Sequence, residues 1–538
     1  MFTLALLIGI YSYIIFFIGL AGFLYKPTII LSSVVFIFLA AFFVKRNLKK
    51  YDFKDRLVSF VTKSTKLELV FLTIILFQGI VNLVGALGPE LGFDALWYHL
   101  TLPKIFLAAH RIIHIPGSLL YYSDMPKLTE MLYISALSFG TETIAKLIHF
   151  SFGILCLVAL YNLSRKFLSR TFSLLVLVLF YSNLVVGWMS TTAYIDLART
   201  FFEIMALWGF VEWQEKKDSK WLIESAVMLG LGVSTKLLAI GSLLIFTFLI
   251  VFAIVQKYKF KRKTIITNIL IYWWFALLIP LPWFVFSGMH TGDPFYFYFS
   301  SLYHVKFDPN LLNPTKFLQD TLSIFINSQD RISPVYLIFL PVAFILFKKI
   351  NSKLRIVVMY SFLGLLVWYL TPRTGGGRFI LPYLPSFSLV SVAAIELTKK
   401  IRLQKIFIGL IIFLSLFSIF YRGLANSKYI PVILGKESKS QFLTNHLNFS
   451  YGDFYDTDGY FAKKIKTEDT VLLYGFHNLY YVNFPFIDSS YVKKGDMFNY
   501  IAVQGNDMPY RFKFWNLIYY NKKTNVKLYS IGGLKWVY

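Results

Sequence analysis

Four charged or titratable residues crowd the segment PELGFDALWYHLTLPK (89–104), directly after an apolar run that ends at Leu87. Glu90 and Asp94 are four apart, so on a helix they share one face. Two carboxylates held close at a membrane boundary push one pKa upward, which suits a general acid or base. The competing reading is that both cap and solvate a helix lying in the interface. Trp97, Tyr98 and His99 follow Asp94 and supply rings that can exclude water or stack on a sugar. Asp124, in YYSDMPKLTEMLY, adds a third carboxylate with Lys127 close behind, while Glu130 reads as an interfacial anchor. In STTAYIDLARTFFE, Asp196 opens an apolar run and Arg199 follows three residues later. Ionisable groups inside a membrane are mostly functional, although an Asp–Arg pair can also neutralise itself.

The cations form a second set: Lys236 in GVSTKLLAIG, and Arg373 and Arg378 in TPRTGGGRFILPYLP. One reason to place them is a phosphate, which arginine meets as a bidentate fork and lysine as a point charge. The alternative is snorkelling to lipid headgroups, the reading preferred for Arg373. The run Gly375–Gly377 would let backbone approach a ligand closely. Other chemistries are excluded, because the chain has no G-x-x-x-x-G-K-[ST], G-x-S-x-G or H-E-x-x-H motif and no cysteine-based metal spacing. His99, His110 and His114 match no standard metal-ligand spacing, so neither a metal nor another cofactor is expected.

These residues need elements to position them. The chain has 538 residues, of which 57% are hydrophobic and 19% aromatic, with a mean hydropathy of +0.61. That excludes a soluble protein. Apolar stretches long enough to span a bilayer recur through the first 420 positions. The pattern predicts helices near 2–24, 27–44, 67–87, 142–163, 171–189, 195–213, 221–235, 237–256, 265–288, 332–347, 354–370, 379–398 and 405–420. Six basic clusters lie between them, at 45–56, 164–170, 214–220, 257–263, 348–355 and 399–405. All six fall on one face if the N-terminus is cytoplasmic and thirteen spans alternate. The formal charge of +26 is thereby assigned to cytoplasmic loops and anionic headgroups rather than to nucleic acid. Met1 opens directly into apolar sequence, which reads as a retained first span. Cys156, the single cysteine, lies in an apolar run.

The opposite face receives the segments 88–141, 190–194, 289–331 and 371–378, together with the tail. Within 88–141, FDALWYHLTLPKIFLAAHRI and KLTEMLYISALSFG carry helical periodicity and read as helices lying in the interface plane. The tail carries short β-type runs broken by Gly, Asn and Asp. The expected fold is an all-α polytopic membrane protein of about thirteen spans with interfacial helices and a small C-terminal extracytoplasmic α/β domain. Its boundaries are 1–66 for an N-terminal hairpin and basic loop, 67–420 for the main transmembrane module and 421–538 for the tail.

Four segments, FDALWYHLTLPK, AYIDLARTFF, HTGDPFYFYF and GRFILPYLP, occur in that order. Together they resemble the motifs of bacterial polytopic glycosyltransferases of the GT-C fold, the superfamily of protein O-mannosyltransferases and lipid A aminoarabinose transferases. The resemblance covers roughly residues 67–400. It implies a sugar donor carried on a polyprenyl phosphate and a transfer to an acceptor hydroxyl at the outer face of a bacterial cytoplasmic membrane. It further implies Asp94 as the general base of an inverting displacement, with Glu90 and Asp196 beside it. Lys236 and Arg378, with Lys127 as a third, would meet the donor phosphate, and Tyr98, His99 and Asp124 the sugar or acceptor. The protein mannosyltransferases carry adjacent Asp-Glu, whereas Glu90 and Asp94 are separated here. The acceptor class, glycan, lipid or protein, therefore stays open. Two rival readings remain: a transporter or flippase of a lipid-linked sugar, which needs the cations but no base, and a non-catalytic scaffold for envelope assembly.

Overall fold

The computed structural model describes residues 1–47, 60–258, 261–296, 308–328, 330–371, 376–398, 400–532 and 534–538. Arg373 and Gly375, most of the basic run 45–56 and the end of HTGDPFYFYF lie outside the described residues. The protein is a helical polytopic membrane protein with a small C-terminal sheet. Among the described residues six helices are long and apolar enough to cross a bilayer: Phe2–Leu20, Lys66–Leu87, Glu142–Ser164, Leu237–Gln256, Ser352–Leu370 and Ile401–Ser427. A seventh crossing is made if the bent pair Arg262–Leu278 and Leu281–Thr291 counts as one.

This is fewer than the thirteen expected spans, although each expected span falls on helix. The differences have local causes. The stretch 265–288 bends by 63° where Pro280 and Pro282 remove backbone donors. The stretch 171–189 breaks at Ser182–Asn183 into Arg170–Tyr181 and Leu184–Met189. There the Asn183 Nδ2 donates to the freed carbonyls of Leu179 and Phe180, each at 2.9 Å. Leu128–Phe139, Val335–Ile345 and Leu381–Leu397 are apolar but short. Asp196–Lys216 carries too many charges to pass as a plain lipid-facing span, and its first eighteen residues are buried but for Trp208.

Segment 88–141 holds the expected helical stretches, as a wide turn over Ala95–His99 continuing into Thr101–Ala108, and as Leu128–Phe139. Its start is fixed by the end of the helix Lys66–Leu87. That helix begins with a reciprocal cap, in which Thr65 Oγ1 accepts from Glu68 N–H and Glu68 Oε2 accepts from Thr65 N–H. It ends at Gly88, which Pro89 forces out of the helical region. The last carbonyls would be orphaned inside the protein. Instead the buried Lys146 donates to Gly85 O at 2.9 Å, Gly88 O at 2.7 Å and Pro89 O at 3.0 Å. Glu90 completes the corner, with Oε1 accepting from Leu91 and Gly92 N–H and Oε2 accepting from Ala193 N–H at 2.5 Å.

The tail forms a five-stranded sheet in the order β2-β1-β4-β6-β5, built from β1 (Val471–Tyr474), β2 (Phe486–Asp488), β4 (Tyr500–Gln504), β5 (Asn516–Asn521) and β6 (Val526–Ser530). β1 runs parallel to β2 and β4, and β6 pairs antiparallel with β4 and β5. Two further strands, β3 (Met497–Phe498) and β7 (Trp536–Val537), pair with each other. The connection between β1 and β2 is seated on segment 88–141. Lys104 Nζ donates to the carbonyls of Tyr480 and Val482, both at 2.6 Å, and to Asn483 Oδ1 at 2.9 Å. Tyr481 donates from its hydroxyl to Glu90 O at 3.0 Å, and the His477 ring lies 4.8 Å from that of Phe93. Burial among these carbonyls lowers the Lys104 pKa to about 8.

Since a buried carbonyl without a donor costs about 1–3 kcal/mol, Lys146→Met is expected to destabilise the protein by about 3 kcal/mol. The measurement is thermal unfolding in lipid nanodiscs, with a melting temperature several degrees below wild type as the expected result.

Candidate functional site

Asp94, Asp196, Lys236 and Arg378 come from four separated stretches, and each stands at the edge of an element. Asp94 precedes a π-helical turn over Ala95–His99, closed by Leu100 N–H on Ala95 O at 2.9 Å. Thr101 Oγ1 takes up the Leu96 carbonyl at 2.6 Å. Such wide turns occur mostly at functional sites. Asp196 is the first residue of Asp196–Lys216, where the helix N-terminus favours a negative charge. Lys236 follows Ser219–Thr235 in extended conformation, before a tight turn over Leu237–Ala239. Arg378 ends a short turn that starts at Gly376, whose φ of +40° suits glycine.

Arg378 bridges the two acids. Its Nη1 donates to Asp94 Oδ2 at 2.5 Å and its Nε to Asp196 Oδ2 at 2.9 Å. Lys236 Nζ donates to Asp196 Oδ1 at 2.7 Å. The hydroxyl of Tyr98 donates to Asp94 Oδ2, and the Asp94 N–H donates to the Tyr194 hydroxyl, both at 3.1 Å. Aromatic faces line the cations: the Arg378 guanidinium sits 4.2 Å from the Tyr194 ring and Lys236 Nζ 5.0 Å from that of Phe379. Among the described residues, two carboxylates and two cations thus make a cluster of zero net charge.

Exposure separates the members. The Asp196 side chain is 2% exposed and that of Arg378 9%, against 14% for Lys236 and 19% for Asp94. A ligand approaching the cluster meets Asp94 and Lys236 first. Burial pushes the Asp94 carboxyl up, but the charge and hydrogen bond of Arg378 together with His99 and Lys236 outweigh it and hold it below the usual carboxylate range.

A family model described as dolichyl-phosphate-mannose-protein mannosyltransferase matches residues 132–286, which include Asp196 and Lys236. No curated protein matches the sequence. Two crystal structures of ArnT from Cupriavidus metallidurans superpose along most of the chain. The apo state gives a TM-score of 0.59 and the state bound to undecaprenyl phosphate 0.52. In both, the identity is 11%, and the match covers 86% of this chain and 97% of that one. The chain has the GT-C fold.

Within this GT-C fold the remaining residues singled out in the sequence take other positions. Glu90 is engaged by three backbone N–H groups and a nearby Lys146, so it shapes the corner from which Asp94 emerges. His99 is buried and pairs through Nδ1 with Glu130 Oε1 at 2.8 Å, its Nε2 having no hydrogen-bond partner. Burial lowers the His99 pKa against the opposing pull of Glu130. Asp124 accepts from His114 Nδ1 at 2.9 Å and from Ser123 Oγ at 2.7 Å. Lys127 is buried 5.9 Å from the Tyr122 ring, which stacks on Tyr98 at 3.8 Å. Lys127, His99 and Asp124 therefore lie outside the hydrogen-bonded cluster. Arg199 pairs with Glu203 instead of neutralising Asp196.

Spacing alone does not single out Tyr194 and Phe379, which line Arg378 and Lys236, and Glu130, expected as an interfacial anchor, is buried against His99. An aromatic two residues before Asp196 and one directly after Arg378 was the available signal for the first two. Among the described residues no group of three or more His, Cys, Asp or Glu is placed to hold a metal.

Removing Arg378 would leave two carboxylates on one lysine. Arg378→Gln is expected to cost about 3 kcal/mol, as when one partner of a buried pair is lost. The depressed Asp94 pKa means that its stabilising term is present above the unfolded value of about 3.9 and is lost as pH falls below it. The melting-temperature gap between wild type and Arg378→Gln is therefore expected to be widest near neutral pH and to narrow below about pH 4.

Proposed function

We propose that the protein is a membrane glycosyltransferase that moves a sugar from a polyprenyl phosphate to an acceptor hydroxyl at the outer face of the bacterial cytoplasmic membrane. The observation that carries this reading is the semi-exposed Asp94 sharing Arg378 with the Asp196–Lys236 pair. An anchoring role for these charges would not require four elements to converge on a zero-charge cluster. The GT-C fold and the undecaprenyl phosphate bound by ArnT support a lipid-phosphate donor.

In the resting arrangement Asp94 is a poor base, because Arg378 holds its carboxylate. A donor phosphate is a better partner for the guanidinium fork. When it takes Arg378 and Lys236, Asp94 loses its cation and gains basicity. Asp94 then accepts the proton from the acceptor hydroxyl as that oxygen bonds to the anomeric carbon. The bond from that carbon to the phosphate oxygen breaks, with inversion. The charge that develops on the leaving polyprenyl phosphate is met by Arg378 and Lys236. Asp196 keeps both cations aimed, and Glu90 holds the corner that carries Asp94. Tyr98, His99 and Asp124 are assigned to the sugar or acceptor side. Lys127, expected as a third cation for the donor, is buried and outside the cluster, so the phosphate falls to Arg378 and Lys236. A glycan, a lipid or a protein would serve as acceptor, presented against segment 88–141 and the tail seated on it.

The test uses purified protein in lipid nanodiscs, a panel of polyprenyl-phosphate sugars and candidate acceptors. Asp94→Asn is expected to lower turnover by about 10³-fold, within the range attributed to a general base. Binding of undecaprenyl phosphate should be retained or tightened, because the substitution removes the carboxylate that competes for Arg378. Full turnover in Asp94→Asn would sink the assignment of the base. Binding without turnover in either protein, with labelled lipid moving between leaflets, would make the protein a carrier.

A further inference from the structure

Seven residues below Asp196 on the same helix lies Glu203, fully buried and paired to Arg199. Its Oε1 accepts from Arg199 Nη2 at 3.3 Å and from Ser242 Oγ at 2.8 Å, and its Oε2 accepts from the Tyr360 hydroxyl at 2.8 Å. Ser242 Oγ in turn meets the Tyr383 hydroxyl at 3.1 Å. Arg199 Nη2 also reaches the Leu238 carbonyl at 3.5 Å, two residues beyond Lys236.

The partners come from the elements that matter at the site. Arg199 and Glu203 lie on the helix that begins with Asp196, and Leu238 lies in the turn after Lys236. Ser242 is on the helix leaving that turn, and Tyr383 belongs to the short turn following Arg378. Tyr360, on Ser352–Leu370, is the fourth anchor. A buried ion pair contributes little net stability compared with apolar packing of the same volume, and its best attested use is to fix register. In a membrane interior the same charges are costlier still.

We propose that Glu203 is a positioning residue: through Arg199, Ser242 and Tyr383 it holds the turns bearing Lys236 and Arg378 in register with Asp196, and so sets the separation of the two cations. That this separation matches a phosphate rests on the function proposed above. The register itself does not depend on that function.

The test compares wild type, Glu203→Gln and Arg199→Lys as full chains in nanodiscs. The first readout is the rate at which Lys236 is acetylated by an N-hydroxysuccinimide ester, followed by peptide mass spectrometry. Lys513, which is exposed, and Lys127, buried outside the network, are internal references. The second is the affinity for undecaprenyl phosphate. Glu203→Gln is expected to label Lys236 about tenfold faster relative to Lys127 and to weaken undecaprenyl phosphate binding about tenfold, as for loss of a charge-assisted bond. Arg199→Lys keeps the charge opposite Glu203 but loses the fork that reaches Leu238. It is expected to raise Lys236 labelling about threefold, and it decides the matter alone if Glu203→Gln does not fold. Labelling of Lys236 at the wild-type rate in the folded variants overturns the inference. So does an equal rise at Lys127, which would mean general loosening. Faster labelling of Lys236 in a protein whose wild type binds no undecaprenyl phosphate upholds the inference and overturns the functional reading instead.

Discussion

The structure around the site depends on one requirement: a guanidinium held almost out of water must be paired. Arg378 is 9% exposed, and it satisfies that requirement with two carboxylates rather than one. A second acid calls for a second cation, which Lys236 provides through Asp196. The four charges can be brought together only if four elements end at the same depth. Each of them does: a helix starts at Asp196, another ends before Lys236, and short turns carry Asp94 and Arg378. Element ends are where backbone groups and dipoles are free to assist a charge. The interior of a helix would have offered Arg378 no such neighbours.

The same requirement explains why the loop carrying Asp94 is so firmly tied. Pro89 ends a helix, Lys146 takes up the carbonyls of Gly85, Gly88 and Pro89 at that end, and Glu90 takes up three backbone donors on the other side. The tail then closes over this corner through Tyr481, Lys104 and Lys439, the last paired with Glu142 at 2.5 Å. A carboxylate meant to meet Arg378 across 284 positions of chain needs a rigid mount. The buried polar groups at this corner are satisfied by one another, which makes the mount rigid rather than merely compact.

Much of this was legible in the sequence. The apolar periodicity located the helices that carry the site, and Lys236 and Arg378 were legible as cations that could meet a phosphate. Asp94 and Asp196 stood out as acids at span ends. What spacing could not tell was pairing. Arg199, three residues from Asp196, is spaced to neutralise it, yet it turns down the helix to Glu203, and the partners of Asp196 lie 40 and 182 positions away, at Lys236 and Arg378. Glu90 shows the same limit: being four residues from Asp94 put it on a shared helical face, but Pro89 and the wide turn after Asp94 mean that no regular helix joins them. The span count exceeded the helices that pass as crossings because hydropathy does not register a proline bend or an asparagine break. The seating of the tail on segment 88–141 was invisible, since it rests on backbone carbonyls that every residue carries.

The two acids of the cluster are chemically alike and are separated by environment alone. Asp196 is nearly inaccessible, sits at a helix N-terminus and holds both cations. Asp94 is more open, touches one cation among the described residues and is otherwise supported by the Tyr98 hydroxyl. If an anion enters the cluster and a carboxylate must give way, the one with fewer partners and more water nearby moves at lower cost. Asp94 meets both conditions. Losing it leaves Arg378 and Lys236 still bridged by Asp196, so the cation pair survives the exchange. Losing Asp196 would instead strand Lys236 and the end of a buried helix, and leave Arg378 on Asp94 alone. The asymmetry between these environments makes Asp94 the group suited to chemistry and Asp196 the group suited to holding the site together.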